Sequence, residues 1–311
     1  MRGRALIAFI IVVTILALVP PFLNGYARSL LYITVLYVAL AYAWNVISGY
    51  AGYLSFGQVT FFGLGAYTTA ISVVRGHLPW WEGALLGGLI SAALAVPLGY
   101  LMLRLRGAFF ALGMLGLAQT LQVVANSWQL TGGGAGLFLP PGSNALPVYY
   151  WTLVIGLLTF AATLFIDRSA FGLRLQALRE DEQVASTLGV HVTTTKVWAF
   201  VISAIVPGLL GGGYAWYLTY VEPVSAFATR FDLQAVAMTI LGGIGTVWGP
   251  LIGGVLMSQV SEMLAAQYPQ AYLMSFGGLV VVLLVFLPRG IAPAVSAALA
   301  RRRARGAQGH Q

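Results

Sequence analysis

Apolar runs of about 20 residues follow one another along most of this sequence. A helix of this length can cross a bilayer, so few folds are open to the chain. The chain has 311 residues, of which 59% are hydrophobic and only 8% are charged. A soluble domain carries about 25% charged residues. We therefore expect a polytopic membrane protein. The 38 glycines agree with this, because small residues let membrane helices pack closely.

Several classes of function are disfavoured by what the sequence lacks. There is no cysteine, and the three histidines, His77, His191 and His310, are far apart, so we expect no metal site. The Lys and Arg residues behind the net charge of +8 lie beside apolar runs, where such residues set the orientation of membrane spans. This position argues against a nucleic-acid surface. Lys196 is the one lysine and follows three threonines, so a G-x-x-x-x-G-K-[ST] loop is impossible and we expect no cofactor bound by this chain.

The apolar runs predict ten membrane spans, the third, eighth and ninth being the least regular. They cover residues 5–23, 29–48, 54–74, 82–103, 107–126, 149–166, 196–219, 233–248, 249–265 and 272–287. With the N-terminus inside, 13 of the 16 Lys and Arg residues fall on the inner side. This excess predicts both termini in the cytoplasm.

Two glycine-rich stretches interrupt this pattern in opposite halves of the chain, at 47–70 and 240–254. Such interrupted segments in corresponding positions indicate a transport pathway, whereas the alternative is close helix packing through glycine faces. The candidate path residues are Ser48, Gly49, Gly52, Ser55, Gly57, Gln58, Gly63, Gly65, Gly242, Gly243, Gly245 and Gly249. No carboxylate falls at a predicted bilayer centre, since Asp232 is expected at an outer boundary, and this disfavours an ion-coupled carrier.

One segment, 167–196, holds eight of the 24 charged residues and needs water or a protein partner. A helical wheel over Leu173–Leu188 predicts one amphipathic helix of about four turns, ended by Gly189. Its apolar arc comprises Leu173, Ala177, Leu178, Val184, Ala185 and Leu188. A solvated loop helix without a partner remains the alternative.

Three motifs together resemble the permeases of branched-chain amino acid ABC transporters, and the M-type subunit more than the H-type. They are ISGYAGYLSFGQ (47–58) with FFGLGAY (61–67), FGLRLQALREDE (171–182) with LGV (188–190), and LGGIGTVWGPLIG (241–253). The similarity covers most of residues 30–290 in order and spacing. Importers of urea and short amides share these motifs, so the motifs do not fix the substrate.

The resemblance implies a single all-α transmembrane permease domain over 1–311 in the bacterial cytoplasmic membrane. It implies a coupling loop at 167–196, an outer loop at 127–148 and a basic cytoplasmic tail at 288–311. The expected partners are a second homologous permease subunit, two ATPase chains that carry ATP and Mg²⁺, and an extracytoplasmic binding protein. The residues expected to couple to the ATPases are Gly172, Leu173, Arg174, Leu178, Arg179, Glu180, Asp181, Glu182 and Gly189.

Two other classes of function stay open at this stage. A stand-alone secondary carrier would need neither an ATPase nor the charged segment. A membrane enzyme would need a paired acid and base or a metal cluster, and the inner loops show neither. We therefore expect a transporter subunit that is not itself an enzyme.

Overall fold

The computed structural model describes residues 11–140, 145–267, 274, 277, 278, 281 and 290–292. Helices make up almost all of this part of the chain. They are α1 (Ile11–Phe22), α2 (Gly25–Trp44), α3 (Gln58–Val74), α4 (Trp80–Met102), α5 (Ala108–Ser127), α6 (Ala145–Arg168), α7 (Ala170–Glu180), α8 (Glu182–Thr187), α9 (Val192–Leu218), α10 (Pro223–Ala226), α11 (Arg230–Gly243) and α12 (Gly249–Gln267). The prediction of an all-α membrane protein is confirmed.

Five of the described helices are long and apolar enough to cross a membrane. They are Gly25–Tyr50, Trp80–Met102, Ala108–Ser127, Ala145–Arg168 and Val192–Leu218. Two shorter apolar helices, Ile11–Phe22 and Gln58–Val74, also fall on predicted spans. The tenth predicted span, 272–287, lies outside the described residues apart from four isolated positions, as does most of the basic tail at 288–311.

Both glycine-rich stretches break regular helix. In the first, α2 continues as a π-helix over Asn45–Tyr50, and non-helical backbone follows to the start of α3. In the second, residues 244–248 separate α11 from α12. Gly52 (φ 80°) and Gly245 (φ 72°) adopt backbone conformations that residues with a Cβ rarely reach. The predicted interruptions are therefore present, and glycine makes them sterically possible.

The core is built around α9, which packs against α3, α4 and α6. The helices meet through small residues: a Cβ added at Gly65 would collide with the backbone of Gly208, and one at Gly211 with the backbone of Phe62. Larger apolar side chains, among them Leu36 and Leu210, fill the spaces between these contacts. Close approach of this kind is how membrane helices gain packing energy without a hydrophobic driving force between them.

A small β-ribbon lies at one end of the helices. Strand β1 (Leu137–Phe138) pairs antiparallel with β2 (Tyr220–Val221), with Leu137 opposite Val221. The ribbon joins the predicted outer loop, of which 141–144 lie outside the described residues, to the segment that follows α9. We call this the ribbon end. Helices α7 and α8 lie at the opposite end, which we call the coupling end.

Candidate functional site

Two short helices, not one, form the charged segment at the coupling end. Helix α7 ends at Glu180, Asp181 is extended (φ −159°, ψ 119°), and α8 begins at Glu182. The Asp181 carboxylate accepts hydrogen bonds from the backbone N–H groups of Gln183 (2.7 Å) and Val184 (3.1 Å). The predicted continuous helix over Leu173–Leu188 was therefore wrong, because the Asp181 side chain bonds the backbone locally and caps a new helix.

The break also divides the predicted apolar arc. Leu178 and Ala185 are buried against the helical body, together with Leu175, which the wheel did not include. Leu173, Val184 and Leu188 are 65%, 55% and 76% exposed. The α7–α8 pair thus presents three large apolar side chains away from the rest of the chain.

Arg179, in the last turn of α7, is exposed, but its side chain reaches both glycine-rich stretches. Its Nη1 donates a hydrogen bond of 2.7 Å to the carbonyl oxygen of Gly49 in the π-helix. A Cβ added at Gly245 would lie 2.5 Å from the same nitrogen, and one at Gly52 would lie 2.9 Å from Cγ of Arg179. The Arg179 side chain therefore fits at this place because residues 52 and 245 are glycines without a Cβ.

The two stretches also meet each other directly. The side chain of Asn45 accepts a hydrogen bond from the Gly245 N–H (2.8 Å) and donates one to the Thr246 carbonyl (3.0 Å). The Tyr42 hydroxyl donates to the Val247 carbonyl at 2.8 Å. We call the contact of Asn45 and Gly49 with Gly245 and Thr246 the junction. The sequence analysis missed Asn45 and Tyr42; an asparagine inside the apolar run before Ser48 was the available signal.

A second contact ties α8 to the helical body, and we call it the clamp: Tyr53, Glu182 and Lys196. Lys196 Nζ lies 2.5 Å from Glu182 Oε1, and the Tyr53 hydroxyl also donates to this carboxylate. The ammonium group lies 4.7 Å from the centre of the Tyr53 ring. Arg106 approaches the other carboxylate oxygen at 3.5 Å but is mostly exposed.

The electrostatics of the clamp favour an ionised glutamate. Partial burial alone raises the pKa of the Glu182 carboxyl. Hydrogen bonds from Lys196 and Tyr53, with the positive charges of Lys196 and Arg106, outweigh burial and hold the pKa below its usual value. Glu182 is therefore engaged within the chain, whereas Glu180 and Arg174 are exposed.

The predicted path residues lie mainly in the packed interior. Ser48, Ser55 and Gln58 are at most 4% exposed. Gly57 lies against Met114 and Gly63 against the Phe227 ring, with no room for a Cβ at either position. Of the remaining path glycines, Gly49, Gly65, Gly242, Gly243 and Gly249 are buried, Gly245 is partly buried and Gly52 is exposed. The structure thus shows close packing at these positions, and their part in a path stays a prediction.

Asp232 makes a contact that the sequence did not predict. It is fully buried, and its Oδ1 accepts the N–H of Val59 in the first turn of α3 (3.0 Å). The carboxylate thus satisfies a backbone donor that a helix leaves free at its first turn. Among the described residues there is no group of three or more His, Cys, Asp or Glu that could hold a metal ion.

Comparison with known proteins gives one consistent result. A family model described as "Branched-chain amino acid transport system / permease component" matches residues 26–285. The permease protein LivM of a high-affinity branched-chain amino acid transport system is 29% identical in Salmonella typhimurium and 27% identical in Escherichia coli K12. Each match covers 92% of this chain and 74% of the relative. The LivH permease protein of Salmonella typhimurium is 32% identical over 44% of this chain and 46% of its own length. No solved structure matches the chain.

Proposed function

The chain belongs to the branched-chain amino acid transport permease family and is similar to LivM over 92% of its length, and on that basis we propose that it is the M-type membrane subunit of an ATP-driven importer. Its cargo in this proposal is a branched-chain or other hydrophobic amino acid. The names of the LivM and LivH relatives, which are permease proteins of branched-chain amino acid transport systems, support this cargo over the urea or short-amide alternative.

The proposed complex contains three kinds of partner protein. A second homologous permease lies beside this chain in the membrane, and matches to both LivM and LivH relatives support such a pair. Two ATPase chains bind ATP and Mg²⁺ in the cytoplasm and dock at the coupling end. A binding protein delivers the amino acid at the ribbon end. The membrane in this proposal is the bacterial cytoplasmic membrane.

The observation that supports this proposal is a series of contacts that connects the α7–α8 pair to both glycine-rich stretches. The pair exposes Leu173, Val184 and Leu188, which are suitable anchors for a groove on another protein. On its inner side, Arg179 bonds Gly49 and lies against Gly245. A stand-alone carrier has no need of a side chain that links an exposed helix pair to its interior, so this geometry favours coupling to a partner.

We propose that the junction is the coupling-end gate of the transport path. Movement of α7 by an ATPase would pull on Gly49 through Arg179, and movement of α8 would pull on Tyr53 through the clamp. Separation of Asn45 from Gly245 and Thr246 would then part the two glycine-rich stretches. The buried hydroxyl and amide groups of Ser48, Ser55 and Gln58 would become available to a passing amino acid.

Removing Arg179 tests this proposal. In the assembled complex in proteoliposomes, Arg179→Ala should keep ATP hydrolysis but lose most amino acid uptake, because the link from α7 to Gly49 is gone. Arg104→Ala is the control: it removes an exposed arginine between α4 and α5, outside the predicted coupling residues, and should transport as the parent does. Equal uptake by both variants, at equal ATPase rates, would contradict a coupling role for Arg179.

A further inference from the structure

Helix α5 is one of the two least buried of the five long apolar helices among the described residues, and α4 is the other. It has 20 residues, which at about 1.5 Å per residue span about 30 Å, the thickness of the hydrocarbon core. Its buried residues are Phe110, Met114, Ala118 and Ala125, which share one side of the helix. The opposite side contacts little else in the described part of the chain.

That opposite side carries polar groups close to the middle of the span. Gln119 is the twelfth of the 20 residues and is exposed, as is Thr120 beside it. The Thr120 hydroxyl donates to the Gly116 carbonyl at 2.8 Å, whereas the described residues offer the Gln119 amide no hydrogen bond. We call Gly116, Gln119, Thr120 and Val123 the α5 polar face.

The threonines of α6 are placed differently. Thr152, Thr159 and Thr163 are all buried within the chain. Thr159 and Thr163 also donate to carbonyls one turn earlier, at 2.6 and 2.9 Å. In contrast, the mid-span amide of Gln119 is exposed, and lipid tails cannot satisfy it because they offer no hydrogen-bonding group.

The shape of the face suits another helix. A Cβ added at Gly116 would meet nothing within 4 Å, and Thr120 follows one turn later. Small residues four apart let the backbone of a second helix approach closely, and amide side chains then bond across the contact. An ATPase at the coupling end or a binding protein at the ribbon end cannot reach the middle of the bilayer, so the occupant is a helix embedded in the membrane.

We propose that the α5 polar face is the contact surface for the second, homologous permease subunit, which places a hydrogen-bonding side chain opposite Gln119. The inference rests on the proposed function for the existence of that subunit. It goes beyond the function in naming the face by which the two permeases meet.

The chain has no cysteine, so the face can be mapped with single introduced cysteines. Gln119→Cys and Val123→Cys would be labelled with a maleimide benzophenone in membranes that contain the assembled complex, and then irradiated. Leu158→Cys, on an exposed part of α6, is the control. We expect adducts with the homologous permease from 119 and 123 and lipid adducts from 158, identified by mass spectrometry.

Adducts of 119 and 123 with lipid alone, or with a second copy of this chain, would overturn the inference. A second measurement avoids dependence on the label: Gln119→Leu should lose the homologous permease on purification, and Gln119→Asn should retain it. Retention by the leucine variant would count equally against the proposal. Failure of the proposed function is distinguishable, since it would appear as absence of ATP-driven uptake by the unlabelled parent complex.

Discussion

At the scale of single residues, Gly49 lies where three elements of the site meet. Its carbonyl accepts the Arg179 hydrogen bond, and its Cα faces the side chain of Asn45 and the backbone nitrogen of Gly245. A side chain at this position would have to displace the junction. The glycine motif was visible in the sequence, but its contact with Arg179, 130 positions away along the chain, and its contact with Gly245 in the other half were not.

We predict that Gly49→Ala destabilises the protein by about 1–3 kcal/mol, as overpacking of a filled interior does. It should also reduce uptake, because the added methyl group collides with Asn45 and Gly245. Thermal unfolding in detergent measures the first effect. The control is Gly156→Ala in α6, where the new Cβ would make ordinary contact with Val35 at 3.5 Å. A melting temperature for Gly49→Ala equal to that of the control would refute the prediction.

The clamp predicts a specific dependence on pH. The Glu182 pKa is lower in the folded protein than in the unfolded chain, where it is about 4.3. The ionised carboxylate therefore stabilises the fold above pH ~4.3, and this stabilisation is lost as the pH falls through the lower, folded value. The difference in melting temperature between the parent and Glu182→Gln should be constant near neutral pH and shrink in acid.

Glu180→Gln is the control for this measurement, because Glu180 is exposed and forms no ion pair with the described residues. Its melting temperature should follow that of the parent at every pH. If the difference in melting temperature between the parent and Glu182→Gln is the same at neutral pH and in acid, the carboxylate charge does not stabilise the clamp.

At the scale of elements, the division between α7 and α8 was not predictable from a helical wheel. The wheel assumes about 100° per residue without interruption, and Asp181 ends that regularity. An aspartate followed by Glu182 and Gln183 was a readable helix start, but it lay inside an otherwise good amphipathic pattern. The exposed and buried sides of the segment changed as a result, and Leu175 replaced Leu173 in the interior.

We predict that Asp181→Ala loosens α8 while leaving α7 in place. The loss of two side-chain bonds to backbone N–H groups should cost about 0.5–2 kcal/mol. Hydrogen–deuterium exchange of peptides covering 182–188 should become faster in this variant. Asp181→Asn keeps an accepting oxygen and should exchange as the parent does. Unchanged protection in the alanine variant would mean that the clamp alone holds α8.

At the scale of the whole molecule, composition predicted the class and most of the helices. Hydropathy located the five described helices that are long and apolar enough to cross a membrane, because apolar length is a local property. The buried contact of Asp232 was not predicted, because its partner, the first turn of α3, is far away in sequence. The contacts of Arg179, Glu182 and Lys196 also could not be predicted from a sequence pattern, because each contact joins elements that only the fold brings together.

The proposed orientation, with ten spans and both termini in the cytoplasm, can be tested on the cysteine-free chain. A membrane-impermeant maleimide should label Val224→Cys at the ribbon end of intact cells, and Leu188→Cys only in inside-out vesicles. Both positions are well exposed, at 64% and 76%, whereas neighbouring Ala185 is buried and would be uninformative. Labelling of position 188 in intact cells would invert the proposed topology.

The burial of Lys196 has a practical consequence for chemical modification. It is the chain's one lysine, and only 5% of its side chain is exposed while it pairs with Glu182. Acylating reagents that attack primary amines therefore have a single internal target, and the clamp shields it. The yield of acylated peptide around position 196, followed through the ATP cycle, would report the opening of α8 in the unaltered protein, without any introduced residue or attached dye.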